Sequence, residues 1–128
     1  MIRALIGACF IGIAQFKPLT IPLPEPPQMP TAAEATVMRC TCYLPTGNPC
    51  YDGHPTVEGV ISSNKEHVGQ TAILFTMEDE LIGVFECHDI GGNVMLRNGT
   101  AIDVYRDNMS DALVWVATYG DYVKVVWR

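Results

Sequence analysis

Six short segments rich in β-branched and aromatic residues, each stopped by polar, glycine or proline-bearing turns, constrain this chain of 128 residues more than any other feature. Thr36 to Tyr43 alternates loosely, and Val57 to Ser62 is shorter. Gln70 to Thr76 and Leu81 to His88 flank the polar turn Glu78-Asp79-Glu80 and read as a hairpin. Thr100 to Tyr105 and Tyr122 to Trp127 complete the set. Runs of this length suit strands with one buried face. Thr46 to Thr56 carries Gly47, Pro49, Gly53 and Pro55 and reads as loop, as does Gly91 to Gly99. One helix is expected. Asn108 or Ser110 can cap it, Asp111 complements its positive end, and Ala112, Leu113, Trp115 and Val116 have helical spacing up to Gly120. Short strands, long turns and one late helix predict an all-β domain closed as a small barrel, the arrangement that leaves no strand edge unpaired.

The first 35 residues have another character. Arg3 precedes an apolar run from Ala4 to Ala14 that has the length of a secretory core and is too short to span a bilayer. Gly12 and Ala14 are small enough for signal cleavage. Residues 1–16 therefore read as signal-peptide-like; a first strand or a short buried helix is the plainer alternative. Pro18, Pro22, Pro24, Pro26, Pro27 and Pro30 forbid helix, so 17–35 reads as a linker and 36–128 as the domain. The expected location is secreted or cell-envelope associated, with no stable membrane span after signal removal.

The formal net charge is −6, and the charged residues of the first 35 cancel, so the domain carries all of it. An acidic surface gains nothing from counterion release, which sets nucleic acid aside as a partner. Past Cys9 there are four cysteines, Cys40, Cys42, Cys50 and Cys87. An even number in a small exported domain predicts disulfides; four reduced, buried thiols in a cytosolic domain are the plainer alternative. Cys40 and Cys42 face the same side of a strand, so either one bonded to Cys50, or a bond to Cys87, fits better than Cys40 with Cys42. No Cys-x-x-Cys knuckle is present, and His54, His67 and His88 share no spacing. Each histidine reads as an isolated surface residue, His88 being notable only for its neighbour Asp89. No metal and no other cofactor is expected.

The densest chemical signal is Asp89-Ile90-Gly91-Gly92 followed by Asp103 within Ala101-Ile102-Asp103-Val104-Tyr105. Glycines leave room beside a carboxylate, and a carboxylate on a strand is held more firmly than one on a loop. Asp before Gly-Gly is also an ordinary turn.

Taken in order, several segments together resemble one family. They are Met38-Arg39-Cys40-Thr41-Cys42-Tyr43, Gly59-Val60-Ile61-Ser62-Ser63 with Val68-Gly69, Asp89-Ile90-Gly91-Gly92, Arg97-Asn98-Gly99 and Ile102-Asp103-Val104-Tyr105. Ala112, Trp115, Gly120 and the valine-rich end extend the series. The series resembles the 3D domain, a bacterial cell-wall module named for three aspartates and related to the C-terminal part of MltA-type lytic transglycosylases. The resemblance implies a six-stranded double-psi β-barrel and peptidoglycan glycan strands as partner. The family's first aspartate falls roughly at Ser62 or Ser63, where this chain has hydroxyls and then Asn64. Ile90 replaces a threonine, and the Asp89–Asp103 gap is a few residues longer.

What the resemblance implies chemically is a lytic transglycosylase, in which one carboxyl serves as acid and then base. Asp103 is the candidate, with its pKa raised by apolar neighbours or by the charge of Asp89. Asp89 would tune it and hold sugar hydroxyls. Arg97 and Asn98 would donate hydrogen bonds. Tyr43 and Tyr105 would offer stacking faces, Tyr105 only if its strand is regular. Trp115 and Trp127 read as core. The alternative is a non-catalytic glycan-binding or structural barrel of an envelope or phage.

Overall fold

The computed structural model describes residues 22–24 and 28–128; the expected signal-like segment lies outside them. Six strands form one closed barrel: β1 (Thr36–Tyr43), β2 (Val60–Ser63), β3 (Thr71–Phe75), β4 (Leu81–Ile90), β5 (Ala101–Tyr105) and β6 (Tyr122–Trp127). The order around the barrel is β1-β5-β2-β4-β3-β6, returning to β1. β1 with β5 and β2 with β4 are parallel, and the other seams are antiparallel.

The order has a hidden symmetry. Exchanging β1, β2 and β3 for β4, β5 and β6 reproduces the same ring, with every parallel and antiparallel seam preserved. Each half thus lays one strand of the other half between its own first two, which is the double-psi arrangement. The barrel is all-β apart from one helix of substance, α2 (Met109–Tyr119), a single helical turn, α1 (Val94–Arg97), and two 3-10 turns.

Alternation does the packing. Met38 and Cys40 of β1, Ile61 of β2, Ala72 and Leu74 of β3, Cys87 of β4, Ile102 and Val104 of β5, and Val123 and Val125 of β6 form one buried cluster with Trp115. α2 starts as expected, with the Asn108 side chain accepting from the Asp111 amide at 2.8 Å, and ends at Gly120, whose φ of +74° suits glycine. The helix buries only Ala112 and Trp115. The Trp115 ring meets Phe85 edge to face at 5.8 Å, and the Arg106 guanidinium lies over it at 5.4 Å. Trp127 packs half-buried at the margin, stacked on His67.

Two expectations change. The Gly91–Gly99 stretch is not all loop: Asn93 accepts from the Leu96 amide at 3.1 Å and starts α1, which buries Leu96. No disulfide is formed among the described residues. Cys40, Cys42, Cys50 and Cys87 are free thiols, and three of them are held against separate carbonyls: Cys40 on Thr41, Cys50 on Pro55 and Cys87 on Asp89. Cys40 and Cys87 serve the barrel as small apolar core residues. At the other margin a 3-10 turn, Ala32–Glu34, lies within the proline-flanked stretch. Ala32 and Ala35 cover Ile73, Phe75 and Val126 there.

Candidate functional site

The site is set by register. Thr41 pairs with Asp103, Asp103 with Ser62, and Ser62 with Asp89. Four strands thus present one transverse row: Thr41, Asp103, Ser62, Asp89. Its neighbours Cys40, Ile102 and Ile61 point into the core, so the row faces outward.

Asp89 belongs to that row only because β4 is irregular. Cys87 pairs with Ile61, but Ser62 pairs with Asp89, so His88 is an extra residue between them. On a regular strand Asp89 would share the face of Cys87, which is fully buried. The bulge moves it to the outer face beside Ser62. Sequence inspection had no signal for this.

Asp103 is partly buried and accepts a hydrogen bond from the Thr41 hydroxyl on Oδ1 at 3.0 Å. Its pKa is raised above the ordinary carboxyl value, mainly by burial. The Thr41 hydrogen bond opposes the rise, and the charge of Asp89 adds to it. The two acids named from the sequence are therefore electrostatic neighbours. Asp89 is more tightly tied than expected: its Oδ1 accepts from the Tyr51 amide at 3.1 Å and from its own neighbour, the Ile90 amide, at 3.0 Å. Burial, with added negative charge from Asp103, pushes the nearby Cys42 thiol up to about 11.

Tyr43 and Tyr105 end the paired strands β1 and β5, and their rings meet edge to face at 5.5 Å. β5 is regular, so Tyr105 does share the face of Asp103. Its residue is only 5% exposed, however, so its ring is packing rather than an open platform for a sugar. The Tyr43 hydroxyl is buried without a hydrogen-bond partner, and its pKa is raised by burial first and by the Asp89 charge second.

A groove with a volume of about 650 Å³ opens near this row. Ser63, Asn64 and Lys65 form one wall; Ile90, Gly91 and Arg97 form another. The acids are not in its lining: Asp89 is one step away and Asp103 two. Ile90 follows Asp89, and Ser63 follows Ser62, the residue between the two acids. Arg97 is exposed and lines the groove as the sequence suggested; Asn98, at the end of α1, does not line it. At its floor the fully buried Ser63 bonds His67 Nδ1 through Oγ at 2.9 Å. Burial lowers the pKa of His67, which keeps that imidazole neutral. Sequence reading noted Ser62 and Ser63 only as stand-ins for an absent acid, and missed Thr41 and the Ser63–His67 pair.

A second cluster lies on another part of the barrel. The rings of His54 and His88 stack in parallel at 3.9 Å, and both carboxylates Asp52 and Glu86 contact His88. Neither histidine is isolated, contrary to their lack of common spacing in sequence. Among the described residues no helix is long and apolar enough to cross a membrane. Compared with known proteins, the chain matches no protein-family model and no curated protein.

Proposed function

We propose that this chain is an exported barrel of the 3D-domain type that acts on peptidoglycan glycan strands as a lytic transglycosylase. Asp103 is its single acid and base. The observation that carries this reading is the state of Asp103: a partly buried carboxyl, raised in pKa by burial and by Asp89, anchored through one oxygen and paired with Ser62, the residue that precedes the groove residue Ser63. A carboxyl so placed retains its proton to higher pH than a free one and can deliver it.

The chemistry needs one such group. With Thr41 donating to Oδ1, Oδ2 is the oxygen that carries the proton. That proton passes to the glycosidic oxygen as the C1–O bond breaks. The sugar's own 6-hydroxyl oxygen then bonds to C1, and Asp103 takes back the hydroxyl proton. A 1,6-anhydro ring results and no water is consumed. Asp89 raises the proton affinity of Asp103, and Arg97 donates to sugar hydroxyls along the groove.

The tethering of Asp89 to two backbone amides favours a second reading, a glycan-binding barrel without turnover, in which Lys65 and Arg97 hold the strand. Incubating the purified chain with peptidoglycan sacculi and analysing the soluble products by mass spectrometry separates the two. The expected result is anhydro-muropeptides from the parent and none from Asp103→Asn, with both proteins still sedimenting with sacculi. Folded parent protein that sediments with sacculi but releases no anhydro products would overturn the enzymatic reading and leave the binding one.

A further inference from the structure

His54, Glu86, His88 and Asp52 come from two separated parts of the chain, the β1–β2 loop and β4. His54 Nδ1 is 2.7 Å from the carbonyl oxygen of Pro55. A carbonyl only accepts, so Nδ1 bears the hydrogen and Nε2 is left with its lone pair. His88 Nδ1 is 2.5 Å from Asp52 Oδ2, so the same face of that ring is committed to a carboxylate. Its Nε2 faces Glu86 Oε2 at 2.9 Å; a carboxylate accepts, so without an ion this nitrogen carries a hydrogen that a bound ion must displace. One donor atom each from His54, Glu86 and His88 lies within 4.8 Å of the others. Neighbouring donors around a tetrahedral zinc ion, with bonds of about 2.0–2.1 Å, sit roughly 3.3 Å apart, so the donors must draw closer and the two rings, stacked in parallel at 3.9 Å, must tilt out of the stack to share one ion.

The outer contacts complete the pattern. A metal-bound imidazole usually donates its other N–H to a carboxylate or a carbonyl, and here His88 has the carboxylate and His54 the carbonyl. Access is open: the Glu86 side chain is 64% exposed, and a groove of about 290 Å³ reaches His54 and Glu86 from the side of Val57 and Gly59. That leaves a fourth position for water. Two imidazoles and a carboxylate suit a borderline divalent ion rather than calcium or magnesium.

We propose that His54, His88 and Glu86 bind a zinc-class divalent ion, with Asp52 orienting His88. The ion ties the long β1–β2 loop to β4. The site is independent of the glycan reading, because ion binding is measured without peptidoglycan.

The test is calorimetric titration of the full chain, stripped with a chelator, with zinc chloride. One ion per chain is expected. His54→Gln and His88→Gln should each weaken binding at least tenfold, and Asp52→Asn roughly 10–100-fold, the usual cost of losing an outer-shell partner. His67→Gln should leave the affinity unchanged. Cobalt should give d–d bands without a thiolate charge-transfer band, because the Cys87 side chain is fully buried in the barrel core. His54 sits on the loop, outside the barrel core, held by one ring hydrogen bond and its stack on His88, so its variant keeps the test valid if the His88 variant folds poorly. Absence of stoichiometric binding, equal loss with His67→Gln, or a thiolate band would overturn the proposal.

Discussion

Gly91→Ala is expected to destabilise the barrel, whereas Gly92→Ala one residue later is not. A Cβ at Gly91 would lie 2.0 Å from Leu96 Cδ1 and 2.9 Å from both Leu96 Cβ and Cγ. Carbon atoms rest about 3.5–4.0 Å apart, so Cδ1 must retreat by roughly 1.5–2 Å. A new rotamer clears Cδ1 but leaves Cβ, which is fixed to the backbone of α1, so the helical turn itself must shift. Leu96 is only 4% exposed and has little free space to enter. Overpacking of this kind costs about 1–3 kcal/mol. At about 4–8 °C per kcal/mol for a domain of this size, the melting temperature should fall by roughly 5–20 °C. At Gly92 an added Cβ meets nothing within 4 Å and φ lies outside the left-handed region. The loss of unfolded-chain freedom there gives between no change and a gain of about 1 kcal/mol. Circular-dichroism melts of the two variants, with urea titrations for free energies, check the contrast. Leu96→Ala should relieve part of the Gly91→Ala cost, leaving a coupling of at least about 0.5 kcal/mol. Equal melting temperatures for the two alanine variants would refute the packing argument.

Asp103→Asn should stabilise the protein at neutral pH. The folded protein holds the Asp103 proton more tightly than the unfolded chain, whose ordinary value is 3.8. Stability therefore falls as pH rises from that value through the raised folded one, and the loss persists above it. Asparagine cannot ionise, and its amide oxygen still accepts from Thr41. Urea denaturation should show an advantage for the variant at pH 7 that closes towards 3.8; an advantage independent of pH would refute the assignment. Thiol reactivity gives another check. Burial pushes Cys40 and Cys87 up to about 12, so both should resist a disulfide-exchange reagent at mildly alkaline pH until the protein unfolds. Rapid labelling of both in the native state would contradict their burial.

Much of the barrel was legible because its signals are local. Thr36–Tyr43 forms a strand with the bounds its β-formers suggest, the Glu78-Asp79-Glu80 turn joins the expected hairpin, and Asn108 and Gly120 bound α2. The misses are of two kinds. α1 is too short for periodicity to reveal; only the Asn93 cap and Leu96 mark it. The others depend on register. No residue type announces that His88 is inserted into β4, yet that insertion moves Asp89 from the core face to the row of Asp103. Likewise His54 and His88 meet because the β1–β2 loop folds back onto β4, a contact no spacing rule encodes. The cysteine count pointed to cross-links because it carried no information on which thiols share a wall of the barrel.

The interlaced ring also governs how the chain reaches its native state. Of the six seams, only β3 with β4 joins strands that are consecutive in sequence. Every other seam must close a long loop before it gains any contact, the situation in which folding is slow and the search is dominated by chain entropy. The β3–β4 hairpin is the one nucleus that can form early, and neither half of the chain can be excised as a self-sufficient unit, because each lends a strand to the other's interior.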